Sequence, residues 1–344
     1  MLAVVLSFDR FPMRLLGCYG NTTLELPCLN HIAAESLVFD QHFGEDFSPQ
    51  PANHAWWTGC PQDLFADDLH PVSRSLAGQL KAANVDCLWL TDEATPREIP
   101  HPVDGPILSE DDFESLLKSG HRILNEWGTR TSRSQLLWLK AGESLWNGSS
   151  TDQAEAVVML DQSLSPLWEA LQDLGATQEV LFVLTAGRGM PFESLAVVRK
   201  NPSPWAEEYV HLPLILYHSH RQGGERCTDF TQPIDLSATL LKFLANPDSP
   251  IDGSSHFHLL SQVHHQDREF LVAGSSPGWK SLRNKDFHLV IDNENPESDA
   301  PRTLLFVKPD DIWDWHNVAA QEPEMTEDLT GKLDAFIRDR KVNL

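Results

Sequence analysis

Positive charge is in short supply in this sequence. Against 50 aspartates and glutamates stand only 26 lysines and arginines, a formal net charge of −24 at pH 7. Such a balance repels phosphate backbones and anionic bilayer surfaces, so neither nucleic acid nor membrane is an expected partner. Long apolar runs are missing as well: nowhere do the roughly 20 apolar residues of a membrane-spanning helix stand together. The first apolar run, Leu2–Leu6, is five residues long and has no basic stretch before it. It reads as a core strand and not as a secretory leader, and the expected compartment is the cytoplasm. Cysteines are few and odd in number, and Cys18, Cys28, Cys60, Cys87 and Cys227 include no C-x-x-C pair. That spacing supports neither a disulfide framework nor a zinc site, and small buried thiols are expected. The glycine patterns GxGxxG and GxxxxGKS/T are absent too, so no nucleotide-binding loop is indicated.

What is present is an alternation of short apolar runs and helical periodicity. Two runs stand out, LAVVL at residues 2–6 and VLFVL at 180–184, each followed by a polar, turn-prone segment, SFDRFP and TAGRGMP. In open α/β sheets ligands bind at the carboxyl ends of strands, so the two segments are expected to be turns facing one pocket. The first brings Asp9; the second brings Ala186, Gly187 and Arg188. Further strands are expected at 37–39, 85–90, 136–139 and 212–217. Helices are expected on the face of Leu29, Ile32, Ala33 and Leu37, within or just after the loop 44–55, and at 72–83, 110–127, 151–174 and 233–244. Residues 92–108 read as a Pro-rich loop. Beyond about residue 265 the pattern changes to short strands at 270–273, 287–291 and 304–307, closed by a helix at 326–339. The fold expected is therefore α/β, a large, mostly parallel central sheet with helices on both faces. A small C-terminal antiparallel sheet with one helix is appended to it. The matching domain division is 1–262 and 263–344.

Taken in order, several segments resemble the sulfatase branch of the alkaline phosphatase superfamily. AVVLSFDRFPMRLLGCYGN (3–21) resembles the family's first strand, its metal-binding aspartates and its L-G-C-Y-G turn. HIAAESLVFDQHF (31–43) resembles L-A-x-E-G-x-x-F-x-x-x-Y, and Thr58–Gly59 matches the end of the nucleophile helix. Residues 156–189 resemble the helix and strand that lead into T-S-D-H-G. EEYVHLPLIL (207–216) resembles Y-E-G-x-x-R-V-P-L-I, PIDLSATLLKFLA (233–245) resembles D-L-x-P-T-L-L, and 317–337 resembles the tail of the C-terminal subdomain. The resemblance covers nearly the whole chain and implies a three-layer sandwich.

It also implies what the active positions have become. The family's nucleophile, a Cys or Ser oxidised to formylglycine within C/S-x-P-x-R, falls on Pro49; Pro51 matches the motif proline and Asn53 replaces the arginine. Ser48, one residue upstream, is the fallback nucleophile. Of the metal ligands, Asp9 matches one aspartate, the adjacent position is Arg10, and the Asp and His or Asn of T-S-D-H-G fall on Gly187 and Arg188. One carboxylate beside two arginines suits calcium poorly, since calcium takes six to eight oxygen ligands. The arginine of R-V-P is His211, and the family's strand-end histidine near Leu139–Ser144 has no counterpart.

The resulting expectation is a sulfatase-like protein that is catalytically inactive, uses no cofactor, and binds an anionic ligand or a protein partner. Candidate partners are a sulfate or phosphate ester, a second copy of the chain or a catalytically complete sulfatase. Arg10 and Arg188 could together form the anion site, because guanidinium forks suit sulfate and phosphate. The plainer reading pairs Asp9 with Arg10 or Arg188, or makes it a helix cap. One alternative is an active sulfuric or phosphoric ester hydrolase using Ser48 or water with Asp9, His211 and calcium or magnesium. Another is a structural or oligomeric scaffold. The histidine pairs His218/His220, His256/His258 and His264/His265 lack a zinc-type spacing and read as ordinary histidines. Trp56 and Trp57 read as core, with sugar stacking the less favoured role for them and for Trp313 and Trp315.

Overall fold

The strands of the computed structural model extend further than their apolar runs. The structure describes residues 1–46, 49–59, 75–93, 106–127, 133–146, 152–191, 203–221, 223–245, 255, 268–275, 278–293 and 301–342. In chain order the core elements begin with β1 (Leu2–Phe11), α1 (Pro27–Ala34), β2 (Leu37–His42), α2 (Pro49–Thr58) and α3 (Leu76–Ala82). There follow β3 (Asp86–Thr91), β4 (Ile107–Ser109), α4 (Phe113–Trp127), β5 (Gln135–Ala141), α5 (Gln153–Gly175) and β6 (Val180–Gly189). The core closes with the short α6 (Glu207–Val210), then β7 (Leu214–His218), β8 (Glu225–Thr231) and α7 (Pro233–Leu244). A second group holds β9 (Leu271–Ser275), β10 (Trp279–Arg283), β11 (Phe287–Asp292), β12 (Arg302–Val307) and α8 (Pro323–Val342).

Among the described residues the large sheet has eight strands in the order β4-β3-β5-β1-β6-β7-β2-β8. Pairing is parallel throughout except for β7, which runs against both of its neighbours. Strands buried on both faces read as unbroken apolar runs, which is why Leu2–Leu6 and Val180–Leu184 are so plain in the sequence. Even-numbered β1 residues Leu2, Val4, Leu6 and Phe8 pack with α1, α4 and α5. Odd-numbered Ala3 and Val5 pack with α2, α3 and α7 on the other face. The result is the expected three-layer sandwich with a mostly parallel centre.

On the α2 side the filling is aromatic. Trp57 sits 4.2 Å from Trp138 and 4.3 Å from Trp89, ring centre to ring centre, with Trp56 5.9 Å from Trp138. Trp56 and Trp57 are fully buried here, so they are core residues.

The four-stranded antiparallel sheet β12-β11-β10-β9 packs one face against α8 through Leu282, Leu289, Leu305, Leu329 and Leu333. Its other face meets core residues Phe43, Val210 and Phe230.

Several expectations need correction. SFDRFP and TAGRGMP are not turns: the β1–β6 ladder continues through Ser7↔Thr185, Phe8↔Ala186, Arg10↔Arg188 and Phe11↔Gly189. Each strand supplies the other's backbone hydrogen-bond partners, so polar residues are carried in strand conformation to the sheet's edge. Three strands went unread. β4 begins at the end of the Pro-rich segment 92–108 and is exposed along its length, β8 is exposed at its start, and β10 (WKSLR) is short and mixed. None of them carries the apolar run or strict alternation that marks a strand in sequence.

Candidate functional site

The carboxyl ends of β1, β5 and β6 assemble the site. Ser7 is the register partner of both Lys140 on β5 and Thr185 on β6, so the three side chains share one face. Asp9, two residues on, joins them. Lys140 Nζ stands 2.9 Å from Asp9 Oδ1 and 3.2 Å from Oε1 of Glu93, which lies just beyond β3. The partner of Asp9 is thus Lys140 and neither arginine. Burial works against the ammonium of Lys140, yet Asp9 and Glu93 outweigh it and raise its pKa. Two carboxyls share one ammonium, and the surplus negative charge falls on Glu93. Burial, then the hydrogen bond with Asp9, push the Glu93 carboxyl up to about 7 against the pull of Lys140.

Arg10 and Arg188 end the β1–β6 ladder as register partners. Arg10 is ion-paired with Glu143, and its buried Nε has no hydrogen-bond partner among the described residues. Arg188 has no ion pair there; its guanidinium stands 5.8 Å from the centre of the Tyr209 ring. Burial, then the charge of Arg10, lower its pKa. It is a partly buried cation next to another cation.

The first turn of α2 sits directly on the end of β6. A Cβ added to Gly187 would lie 3.0 Å from Pro49 Cβ and 3.2 Å from its Cα and carbonyl oxygen. Asn53, one turn further along the same helix face, is 1% exposed, and among the described residues neither its amide oxygen nor its amide nitrogen has a partner. The fully buried Thr185 Oγ1 is likewise unpartnered among the described residues. Ser48 lies outside the described residues.

His211 is committed elsewhere. Its Nδ1 is 3.2 Å from Glu207 Oε1, its Nε2 is 2.9 Å from the Asp40 carbonyl oxygen, and its ring stacks on Phe43. With both ring nitrogens on acceptors, this residue is a structural tie and not a base aimed at Asp9. His218 is buried against Glu179, 2.9 Å away, and His220 lies beside it; the other two histidine pairs lie outside the described residues. The thiols of Cys18 and Cys28 are pushed up by burial to about 11, and that of Cys87 to about 12, so none of these is a ready nucleophile.

No family model matches the chain, and no curated protein does. Solved structures do. A protein solved with its substrate D-glucosamine-2-N,6-O-disulfate superposes with a TM-score of 0.76 at 13% identity, over 99% of this chain and 98% of that one. A 2-O glycosaminoglycan sulfatase gives 0.76 at 13%, over 98% and 92%. The phosphonate monoester hydrolase of Agrobacterium radiobacter gives 0.70 at 14%, over 98% and 95%.

The chain has the sulfatase fold.

Within that fold, the residues present do not fit the divalent cation that the resemblance implies. Of the four positions it assigns, Asp9 is held by an ammonium and the others are Arg10, Gly187 and Arg188. Among the described residues no group of three or more His, Cys, Asp or Glu side chains is placed to hold a metal ion. No helix among them is long and apolar enough to cross a membrane. Sequence reasoning missed Lys140, Glu93 and Glu143. The one available signal was a lone lysine in the apolar strand LLWLKA, where a buried charge demands a partner.

Proposed function

We propose that this sulfatase-fold chain binds an anionic group at Arg188 and Arg10 and does not hydrolyse sulfate or phosphate esters. One observation carries the reading: Lys140 holds Asp9, while the partly buried Arg188 has no carboxylate partner among the described residues. A guanidinium in that state gains from a sulfate or phosphate, which it can grip with two parallel N–H bonds. The net charge of −24 opposes an anion only at long range. At physiological salt, charges beyond about 8 Å are screened, so the local pair of arginines decides. The loss of turnover rests on Pro49, which carries no nucleophilic atom at the position that resembles the family's formylglycine. Sulfated sugars are the first ligands to test, because one structural neighbour was solved with a disulfated glucosamine.

Turnover of an aryl sulfate and an aryl phosphate with added calcium, magnesium or manganese is expected to stay at background. Turnover that disappears in Asp9→Ala would overturn the reading. Titration with D-glucosamine disulfate or inorganic sulfate, followed by melting temperature, is expected to stabilise the wild type. Arg188→Ala should weaken that binding at least tenfold, about 1.4 kcal/mol. Equal stabilisation of both proteins would remove Arg188 from the site.

A further inference from the structure

The seam between the two sheets holds a small cavity. It lies between Phe43, Trp205 and Val210 on the large-sheet side and Leu271, Trp279 and Arg283 of the small sheet. Alternate residues of a strand share one face, so Trp279, Ser281 and Arg283 of β10 all line it. Two donors on this wall are unmet among the described residues. Trp279 is 4% exposed and its Nε1 has no partner. Arg283 reaches Glu207 Oε2 through Nη2 at 3.0 Å, while its buried Nη1 has none. The guanidinium is held in place over the Phe43 ring, 4.2 Å from its centre. Glu207 Oε2 also takes Lys308 at 3.2 Å, so its charge is divided between two cations. Neither Glu207 nor any other carboxylate lines the cavity. The remaining polar groups of the wall are engaged. The Gln232 amide donates to the Val272 carbonyl, the Ser281 hydroxyl to the Ala273 carbonyl, and His288 Nδ1 faces Asp314. An indole N–H and a guanidinium N–H can only donate, and burying them unmet, one of them charged, is costly. The space suits a water molecule or a single ion and excludes a sugar or an aryl group. Water brings protons of its own to this wall of donors, whereas a monatomic anion only accepts and adds its charge to the guanidinium.

We propose that this cavity is a halide site, in which a chloride ion accepts from Trp279 Nε1–H and Arg283 Nη1–H. The ion completes the polar side of the seam and holds the small sheet to the core through Arg283, which already touches Phe43 and Glu207. The inference reads the seam and stands apart from the anion reading, which reads Arg188 and Arg10; either can fail alone.

The test follows the melting temperatures of wild type, Trp279→Phe and Arg188→Ala in sodium chloride, bromide and gluconate at equal ionic strength. Gluconate is too large for the cavity and sets the baseline. Both halides are expected to stabilise wild type in a saturable way, and Arg188→Ala to the same extent. Trp279→Phe keeps an aromatic ring and loses the N–H, so its affinity for bromide should fall at least tenfold. Crystals of wild type grown in bromide should show an anomalous-scattering peak within hydrogen-bond distance of Trp279 Nε1 and Arg283 Nη1. The proposal fails if the halides stabilise no more than gluconate does, if Trp279→Phe responds as wild type does, or if only water stands at that position in the bromide crystals. A halide response that vanishes in Arg188→Ala would place the ion at the arginine pair and overturn the proposal as well. Should Trp279→Phe not fold, the bromide peak in wild type decides.

Discussion

Gly187 shows at the scale of one residue how closely α2 is seated on this sheet edge. Its missing Cβ is the space in which the first residue of α2 rests, with Pro49 atoms 3.0–3.2 Å from where that carbon would be. The contact involves the Pro49 backbone as well as its ring, so relief requires the helix start to shift. Overpacking of this kind costs about 1–3 kcal/mol. Gly187→Ala is expected to lower stability by about 1 kcal/mol and Gly187→Asp by more, read from urea unfolding midpoints at constant slope. A Gly187→Asp protein as stable as wild type would show that α2 yields freely. The site's character would then be a matter of side chains alone and not of how closely α2 is seated. Pro49 and Gly187 are in this sense one feature, the start of α2 closed against the end of β6.

The elements owe their placement to a few buried polar contacts that no periodicity reveals. The amino end of α1 has no cap from its own chain neighbours. Asp161, in the middle of α5 and 2% exposed, supplies it, accepting from Leu29 N–H at 2.7 Å and Cys28 N–H at 3.3 Å. One carboxylate therefore satisfies two of the donors a helix start leaves open and locks two helices of the same layer together. Asp161→Ala is expected to cost about 1–2 kcal/mol and to speed amide exchange at Cys28 and Leu29 ahead of the rest of α1. Unchanged exchange there would mean that the cap contributes nothing. What could be read in the sequence follows the same division. The helix expected at 233–244 is α7 residue for residue, and the helix expected at 151–174 is α5 within two residues, because both carry a continuous apolar face. The cores of β1 and β6 were legible because burial on both faces demands apolar residues without interruption. Their last residues were not, since Ser7, Asp9, Arg10, Thr185 and Arg188 are polar and owe their strand state to the neighbouring ladder. The candidate site was least legible: the sequence pointed to Asp9, Arg10 and Arg188 but not to Lys140, which is far from Asp9 in the chain and reaches it only through the β1–β5 register.

At the scale of the molecule, one buried carboxylate joins the large sheet's domain to the small sheet. Glu207 on α6 faces Arg283 of β10 at 3.0 Å, Lys308 at 3.2 Å and His211 at 3.2 Å, with Arg14 at 3.8 Å. Lys308 in turn meets Asp314 at 2.7 Å, and Asp314 meets His288 at 3.2 Å. Burial opposes the charge of Glu207, but Arg283, His211 and Lys308 outweigh it and hold its carboxyl well below the usual range. Asp314 is lowered likewise, by His288 and Lys308 against its burial, and burial lowers the pKa of His288. All three shifts act in one direction with pH. A carboxylate with a depressed folded pKa lends stability above its ordinary value, near 4.5 for Glu207 and 3.8 for Asp314, and that stability is lost as pH falls through the folded value. Burial lowers the proton affinity of His288 in the folded chain, so the unfolded chain takes up a proton there more readily below about pH 6.5, and it too makes acid unfavourable to the fold. Stability is therefore expected to decline gently below pH 6.5 and steeply below about pH 4.5. Hydrogen exchange at pH 4.5 should open β9–β12 before β1 and β5, because the network closes the seam between them. Glu207→Gln keeps the shape and removes the charge that Arg283 and Lys308 share. Leaving buried cations short of a partner costs about 3–5 kcal/mol, so the variant should be destabilised by that order at pH 7 while its loss on going to pH 4 becomes smaller than in wild type. A Glu207→Gln protein with wild-type stability and an unaltered acid limb would mean that the apolar contacts of Phe43, Val210 and Phe230 hold the small sheet in place without the ion network.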